Sequence, residues 1–303
     1  ADNPNYKSEN GIIYNKSGDT LVYSYVPAAV DENGVLTVTA KNIGASAYAG
    51  QMGIKKVVFS KDIVTIGANA FEGCANLTEV EFSKESGSLT AIPDSAFKGC
   101  TSLAAVTNMP ATVTSIGKYA FSGCKSLKSI EYGAGVTTLG NYAFENSGLT
   151  EITFPKQLTT LGQEVFKGSA AVTQVYSQET VNGKLVTVYK PVAISLPSSL
   201  TSIGASAFKN VQISSLTLHE GITSIGNYAF SNCFSMKNCA KTVTVPATVT
   251  SLGTYAFSDN TCLQKVEFAG TEQVPANVNN IGNYAFKNSA ITSISLPASV
   301  KTL

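Results

Sequence analysis

The chain has 303 residues, a formal net charge of +1 and only 14% charged side chains. Every one of its 21 basic residues is lysine. Bidentate recognition of phosphate and guanine relies on arginine, and the lysines form no basic stripe, so nucleic acid is excluded as an expected partner. No apolar run approaches the ~20 residues that cross a bilayer.

In chain order, the first predicted element is a hairpin. Gly11-Ile12-Ile13-Tyr14 and Thr20-Leu21-Val22-Tyr23-Ser24-Tyr25 flank the turn-rich Asn15-Lys16-Ser17-Gly18-Asp19. Residues 1–40 do not repeat and read as a cap over an open sheet edge. From residue 41 a six-residue motif, Ile-Gly-x-x-Ala-Phe, takes over. It starts at Ile43, Ile66, Ile92, Ile116, Leu139, Leu161, Ile203, Ile225, Leu252 and Ile281. One interval is 42 residues; the others run from 22 to 29. A period of about 20–29 residues with one strand per repeat predicts a leucine-rich-repeat solenoid over 41–303, a superhelix of short parallel strands with helical or 3₁₀ turns. Such an array lengthens without a new core.

One repeat, Leu149 to Phe166, illustrates the expected coil. Ile152 and Phe154 alternate with Thr153 as a strand with two buried residues, and Pro155 ends it. Gly162 is placed at a sharp turn, where glycine accepts a left-handed φ. The phenylalanines from Phe71 to Phe286 are expected to stack as a spine. The 42-residue interval holds an insertion near 176–192, where Asn182-Gly183 signals a β-hairpin. At the end, Leu303 falls 22 residues after Ile281, where another repeat's aliphatic residue belongs. The array is cut there or is closed in another way.

These motifs carry a resemblance. IGANAF, IGKYAF, LGNYAF, IGASAF, IGNYAF and LGTYAF, with strands such as LTEITFP and ITSISLP, resemble the BspA-like family, which bears the treponemal-type leucine-rich repeat. NGIIYNKSGDTLVYSY resembles that family's N-terminal hairpin. The resemblance implies a bacterial cell-surface or secreted protein, possible lipid anchoring, and adhesion to host matrix or cell-surface proteins. It brings no catalytic residues, cofactor or metal.

The remaining chemistry is sparse. Cys74, Cys100, Cys124 and Cys233 each lie three residues after a spine phenylalanine, in a slot that elsewhere holds Ser147, Val211 or Asn260. Buried free thiols are the leading expectation; bridges between neighbouring coils and a metal site are the alternatives. Cys239 and Cys262 lie off this register with no obvious mate. His219, the only histidine, takes a slot otherwise held by Pro155, Pro197, Pro246 and Pro297 and reads as a surface edge residue. The residues expected to point outward from the strands, among them Val58, Glu81, Thr153, Thr217 and Ser295, form a small, hydroxylated stripe without a catalytic pair. Tyr119, Tyr142, Tyr228, Tyr255 and Tyr284 all lie two residues before a spine phenylalanine. With Tyr176 and Tyr189 of the insertion they are the candidate partner-binding residues, since tyrosine offers contact area with little entropy to lose. The alternative is that each ring covers the neighbouring coil. The function expected is a non-enzymatic surface binding or adhesion protein with protein partners; glycan capture is the alternative.

Overall fold

The computed structural model describes residues 3–9, 11–24, 30–85, 87–169, 175–181, 184–189, 192–235, 239–270 and 276–303. The chain forms two compact units, Ala1–Leu149 and Thr150–Leu303. Each is a β-solenoid.

In the first unit, Tyr6–Glu9 pairs antiparallel with Ile12–Asn15, which pairs antiparallel with Thr20–Ser24. Asn15 organises the turn between the latter two. Its Oδ1 accepts from the amides of Gly18 (3.0 Å) and Thr20 (3.1 Å), and its Nδ2 donates to Asp19 (2.6 Å). Thr20 and Leu21 then run parallel to Asn42 and Ile43, so this small sheet continues into the first coil. The strand Tyr6–Glu9 carries no alternating pattern and is exposed throughout, which is why sequence periodicity does not announce it.

Each coil then has three sides. On one, four-residue strands stack in parallel and in register: Val35–Val38, Lys56–Phe59 and Glu79–Phe82, followed by Ala105–Thr107. Val57 lies opposite Val80, and Phe59 opposite Phe82. Alternate residues are buried, as the period of two requires. On the second side two-residue strands, each ending in the motif's Ile or Leu, form a parallel ladder. In the second unit that ladder runs through Thr160–Leu161, Ser202–Ile203, Ser224–Ile225, Ser251–Leu252 and Asn280–Ile281. The second unit's wider strands are Val192–Ser195 with Ile213–Thr217, and Thr242–Val245 with Lys265–Phe268 and Ser293–Ile294.

The third side differs from expectation. Among the described residues there is no α- or 3₁₀-helix. Amides alternate between two kinds of partner. Ser46, Tyr48 and Gly50 donate to Ala68, Ala70 and Glu72 of the next coil at 2.9, 2.8 and 2.7 Å, while Ala47 and Ala49 close turns onto Gly44 and Ser46. Every second amide is committed to a neighbouring coil, so consecutive helical bonds cannot form. This side is turn-built and its hydrogen bonding is completed between coils.

The motif glycine also has another role than the one expected. The left-handed residue is two positions later, at Ser46, Asn69, Ser95, Ser206 and their equivalents. At Gly253 an added Cβ would sit 2.4 Å from the Asn227 nitrogen, and at Gly226 2.7 Å from that of Ala205. Glycine is required because backbone passes against backbone, not for its φ.

The phenylalanine spine is present in both units. Ring centroids lie 5.4 Å apart for Phe71–Phe97, and 5.5 Å for both Phe97–Phe121 and Phe121–Phe144. In the second unit the spacings are 5.3, 5.2 and 6.0 Å from Phe208 through Phe230 and Phe257 to Phe286. Tyr48 stacks on Phe71 as the first ring.

Two further differences concern the repeat used as the example and the insertion. Ile152 and Phe154 form no ladder strand. Alternation sets which side chains turn inward, but a strand also needs a partner in register, and a single coil's sequence does not reveal one. Phe154 instead meets Phe166 and Phe208 edge-on at 6.0 and 6.2 Å. In the insertion, Val175–Val181 pairs antiparallel with Lys184–Tyr189, in a sheet that among the described residues holds these two strands alone. The Asn182-Gly183 turn, and the side chains of Tyr176 and Tyr189, lie outside the described residues.

Candidate interaction surface

The turn side brings together the five solenoid tyrosines singled out from the sequence. Each occupies the left-handed slot, with φ between 55° and 59°. For a bulky side chain this conformation is a genuine outlier, costing about 1–2 kcal/mol relative to an ordinary φ. Asn69, Ser46, Ser95 and Ser206 fill the same slot in other coils, and a short polar side chain is the cheaper solution there.

The rings form two ladders, one within each unit. Tyr119 and Tyr142 stack at 4.9 Å. Tyr228 and Tyr255 stack at 4.8 Å, and Tyr255 and Tyr284 at 5.1 Å. Lysines sit against them: Lys118 lies 5.1 Å from the Tyr119 centroid, Lys209 4.7 Å from that of Tyr228, and Lys287 5.2 Å from that of Tyr284. The rings are half-buried, except Tyr284, which is 61% exposed. Both expected roles are therefore present. Ring faces cover neighbouring rings, and ring edges form a ridge.

A second column beside the ridge escaped the sequence reading. The residue two places after each spine aromatic is again left-handed. It is Gly50, Gly73, Gly99, Gly123 and Asn146 in the first unit, and Gly168, Asn210, Asn232, Asp259 and Asn288 in the second, where the side-chain-bearing residues run through four successive coils. Asn232 Nδ2 donates to Asn210 Oδ1 (3.1 Å), and Asn288 Nδ2 to Asp259 Oδ1 (2.9 Å). The sequence signal was the fixed offset from phenylalanine.

The cysteines divide into two groups. Cys74, Cys100, Cys124 and Cys233 are free and buried. Each thiol donates to the carbonyl of a spine aromatic in the preceding coil: Tyr48, Phe71, Phe97 and Phe208, at 2.9–3.2 Å. Asn260 and Ser289 make the same bond to Phe230 (3.0 Å) and Phe257 (2.7 Å). In these coils the slot holds a small side chain that donates. Burial pushes Cys74 up to about 11 and Cys124 up to about 12, so neither is a thiolate at neutral pH. Cys239 and Cys262, expected to be unmated, form a disulfide with Cα atoms 6.3 Å apart. Their 23-residue separation is one coil, which brings two residues outside the thiol register side by side.

His219 is half-buried, with a buried Nε2 that has no hydrogen-bond partner among the described residues. The strand-face residues Thr153, Thr217 and Ser295 are exposed, while Val58 and Glu81 are partly covered, Glu81 by a 2.6 Å ion pair with Lys56. Among the described residues no group of three or more His, Cys, Asp or Glu side chains could hold a metal ion. No helix among them is long and apolar enough to cross a membrane.

The sequence profile of the BspA type leucine rich repeat region matches residues 41–173 and 190–303, in six copies. The chain belongs to the BspA-type leucine-rich-repeat family. Three solved structures are similar to this chain in fold over nearly its whole length. A leucine rich cell surface protein from Faecalibacterium prausnitzii has 20% identity and a TM-score of 0.50, covering 100% of this chain and 85% of that one. A leucine-rich repeat protein from Bacteroides ovatus has 17% identity and a TM-score of 0.51, covering 98% and 88%. The pneumococcal vaccine antigen PcpA has 18% identity and a TM-score of 0.50, covering 98% and 92%. At these identities the likeness speaks for the fold. Among curated proteins none matches the sequence.

Proposed function

We propose that this chain is a non-enzymatic binding protein exposed at or beyond a bacterial cell surface, and that it presents its repeat surface to protein partners on host or neighbouring cells. The observation that carries this reading is the pair of tyrosine ladders. Folding alone favours a short polar residue or glycine at a left-handed slot, yet five coils place tyrosine there. The residue chosen is the one that supplies rigid contact area. The disulfide between Cys239 and Cys262 supports an oxidising compartment outside the cytosol. The description of the F. prausnitzii neighbour as a cell surface protein points the same way.

The test is capture of purified matrix proteins and cell-surface extract on the immobilised chain, beside Tyr119→Ser/Tyr142→Ser and Tyr255→Ser variants. We expect a partner whose affinity falls more than threefold in at least one variant, with folding confirmed by circular dichroism. Capture of no protein at all, or losses below threefold in both variants, would falsify the reading.

A further inference from the structure

We propose that the turn side of the second unit is a binding strip for an extended glycan chain laid along the coil axis. This rests on the reading of the chain as a surface binding protein, but not on its choice of protein partners.

The first argument is pitch. The ladder Tyr228–Tyr255–Tyr284 repeats every 4.8–5.1 Å. An extended polypeptide along the same line advances about 3.3 Å per residue, or about 6.6 Å per same-side pair. It is about half a residue out of step after one coil, and although three residues span two coils, the third points to the opposite face, so the three rings do not meet equivalent side chains. An extended β-linked pyranose chain advances by close to one ring spacing per sugar, so each coil meets an equivalent unit.

The second argument is chemical. The ring faces are engaged with one another, which leaves ring edges and hydroxyls for a ligand. Beside them run carboxamides and one carboxylate, from Asn210 to Asn288, at the surface. Phenol and carboxamide groups both donate and accept, as sugar hydroxyls do. The first unit supplies the internal control. Beside its two rings, Tyr119 and Tyr142, stand Gly123 and a single Asn146, so it has no run of such side chains. Backbone geometry is the same in both units, so the asparagines add hydrogen-bonding side chains where glycine already meets the conformational need. Lys209 and Lys287 stand at the two ends of the ridge, each against a ring.

The test is calorimetric titration of the full chain with cellohexaose and chitohexaose, both extended, and with maltohexaose, which coils. We expect at least one extended hexamer to bind and maltohexaose to bind at least tenfold more weakly. Tyr255→Ser and Asn232→Gly should each weaken binding at least tenfold, and Tyr142→Ser by less than twofold. Serine and glycine fill these slots elsewhere in the chain, at Ser206 and Gly123, so the variants retain the fold. Absence of binding by both extended hexamers, equal binding of maltohexaose, a smaller loss in either second-unit variant or a larger one in Tyr142→Ser overturns the proposal. If the glycans fail while protein capture persists, the strip is refuted and the protein-binding function stands.

Discussion

At the scale of single residues, two kinds of glycine make opposite demands. Gly253 has an ordinary φ, but its Cβ position is 2.4 Å from backbone of the previous coil. Gly50 has φ of 72° and nothing within 4 Å of that position. Gly253→Ala must push two coils apart and should cost at least about 3 kcal/mol, the upper end for overpacking. Gly50→Ala should cost only about 1–2 kcal/mol of backbone strain, and Gly50→Asn less, because Asn210 and Asn232 already hold that conformation. Urea denaturation of the three variants checks the order; equal costs would return the motif glycine to a conformational role. The spine offers a second comparison. Phe230 is fully buried between Phe208 and Phe257, whereas Phe286 is half-buried at the end of its stack. Phe230→Ala should cost roughly 3–5 kcal/mol, and Phe286→Ala clearly less.

At the scale of elements, the thiol column makes the solenoid sensitive to alkali. Burial raises all four thiols, Cys74 to about 11 and Cys124 to about 12, with Cys100 and Cys233 also moved upward. A group with a raised folded pKa contributes stability that is complete below its unfolded value, about 8.5 for cysteine. That stability is lost as pH rises through the folded values. Between pH 8 and 10 each thiol should therefore withdraw about 2 kcal/mol. Replacing Cys74, Cys100 and Cys124 with serine should remove most of the slope in the urea midpoint; an unchanged slope would show that other groups set it. This column also shows what was legible in the sequence. Spacing alone placed the spine, the tyrosine ridge and the thiols, because a fixed offset along each coil becomes a column across coils. The turn side was not legible as hydrogen bonding. Its partners lie a whole coil away, and the motif reads as a helical turn until those amides are assigned. The disulfide was hidden because Cys239 and Cys262 stand where intervals lengthen to 27 and 29 residues, off the offset that made the other cysteines comparable. Abundant threonine likewise suggested only a hydroxylated surface. In the fold, Thr114, Thr137, Thr223 and Thr250 donate to carbonyls of the preceding coil at 3.0–3.1 Å.

At the scale of the whole molecule, the covalent and the dispensable parts can be separated by experiment. Alkylation of the unfolded chain without reductant should label four cysteines, and six after reduction. Closing a loop of this length constrains the unfolded chain by about 3 kcal/mol, so reduction should speed hydrogen exchange at Val243 and Val266, which flank the bridge. Uniform acceleration at Val80 as well would mean that the staple acts globally. The hairpin of Val175–Val181 and Lys184–Tyr189 is the opposite case. Among the described residues its two strands pair only with each other, and a two-stranded hairpin by itself is marginally stable in water. Loop-closure entropy also changes slowly with length. Replacing residues 177–190 with a short Gly-Ser turn should therefore leave the urea midpoint within the equivalent of about 0.5 kcal/mol, the range of changes away from packed features. The parallel pairing of Val192–Ser195 with Ile213–Thr217 resumes immediately after the hairpin, and it supplies the sharper readout. If amide protection at Ile194 survives the replacement, the insertion is an appendage free to serve recognition. If that protection collapses, the hairpin is needed to bring the chain back into the coil.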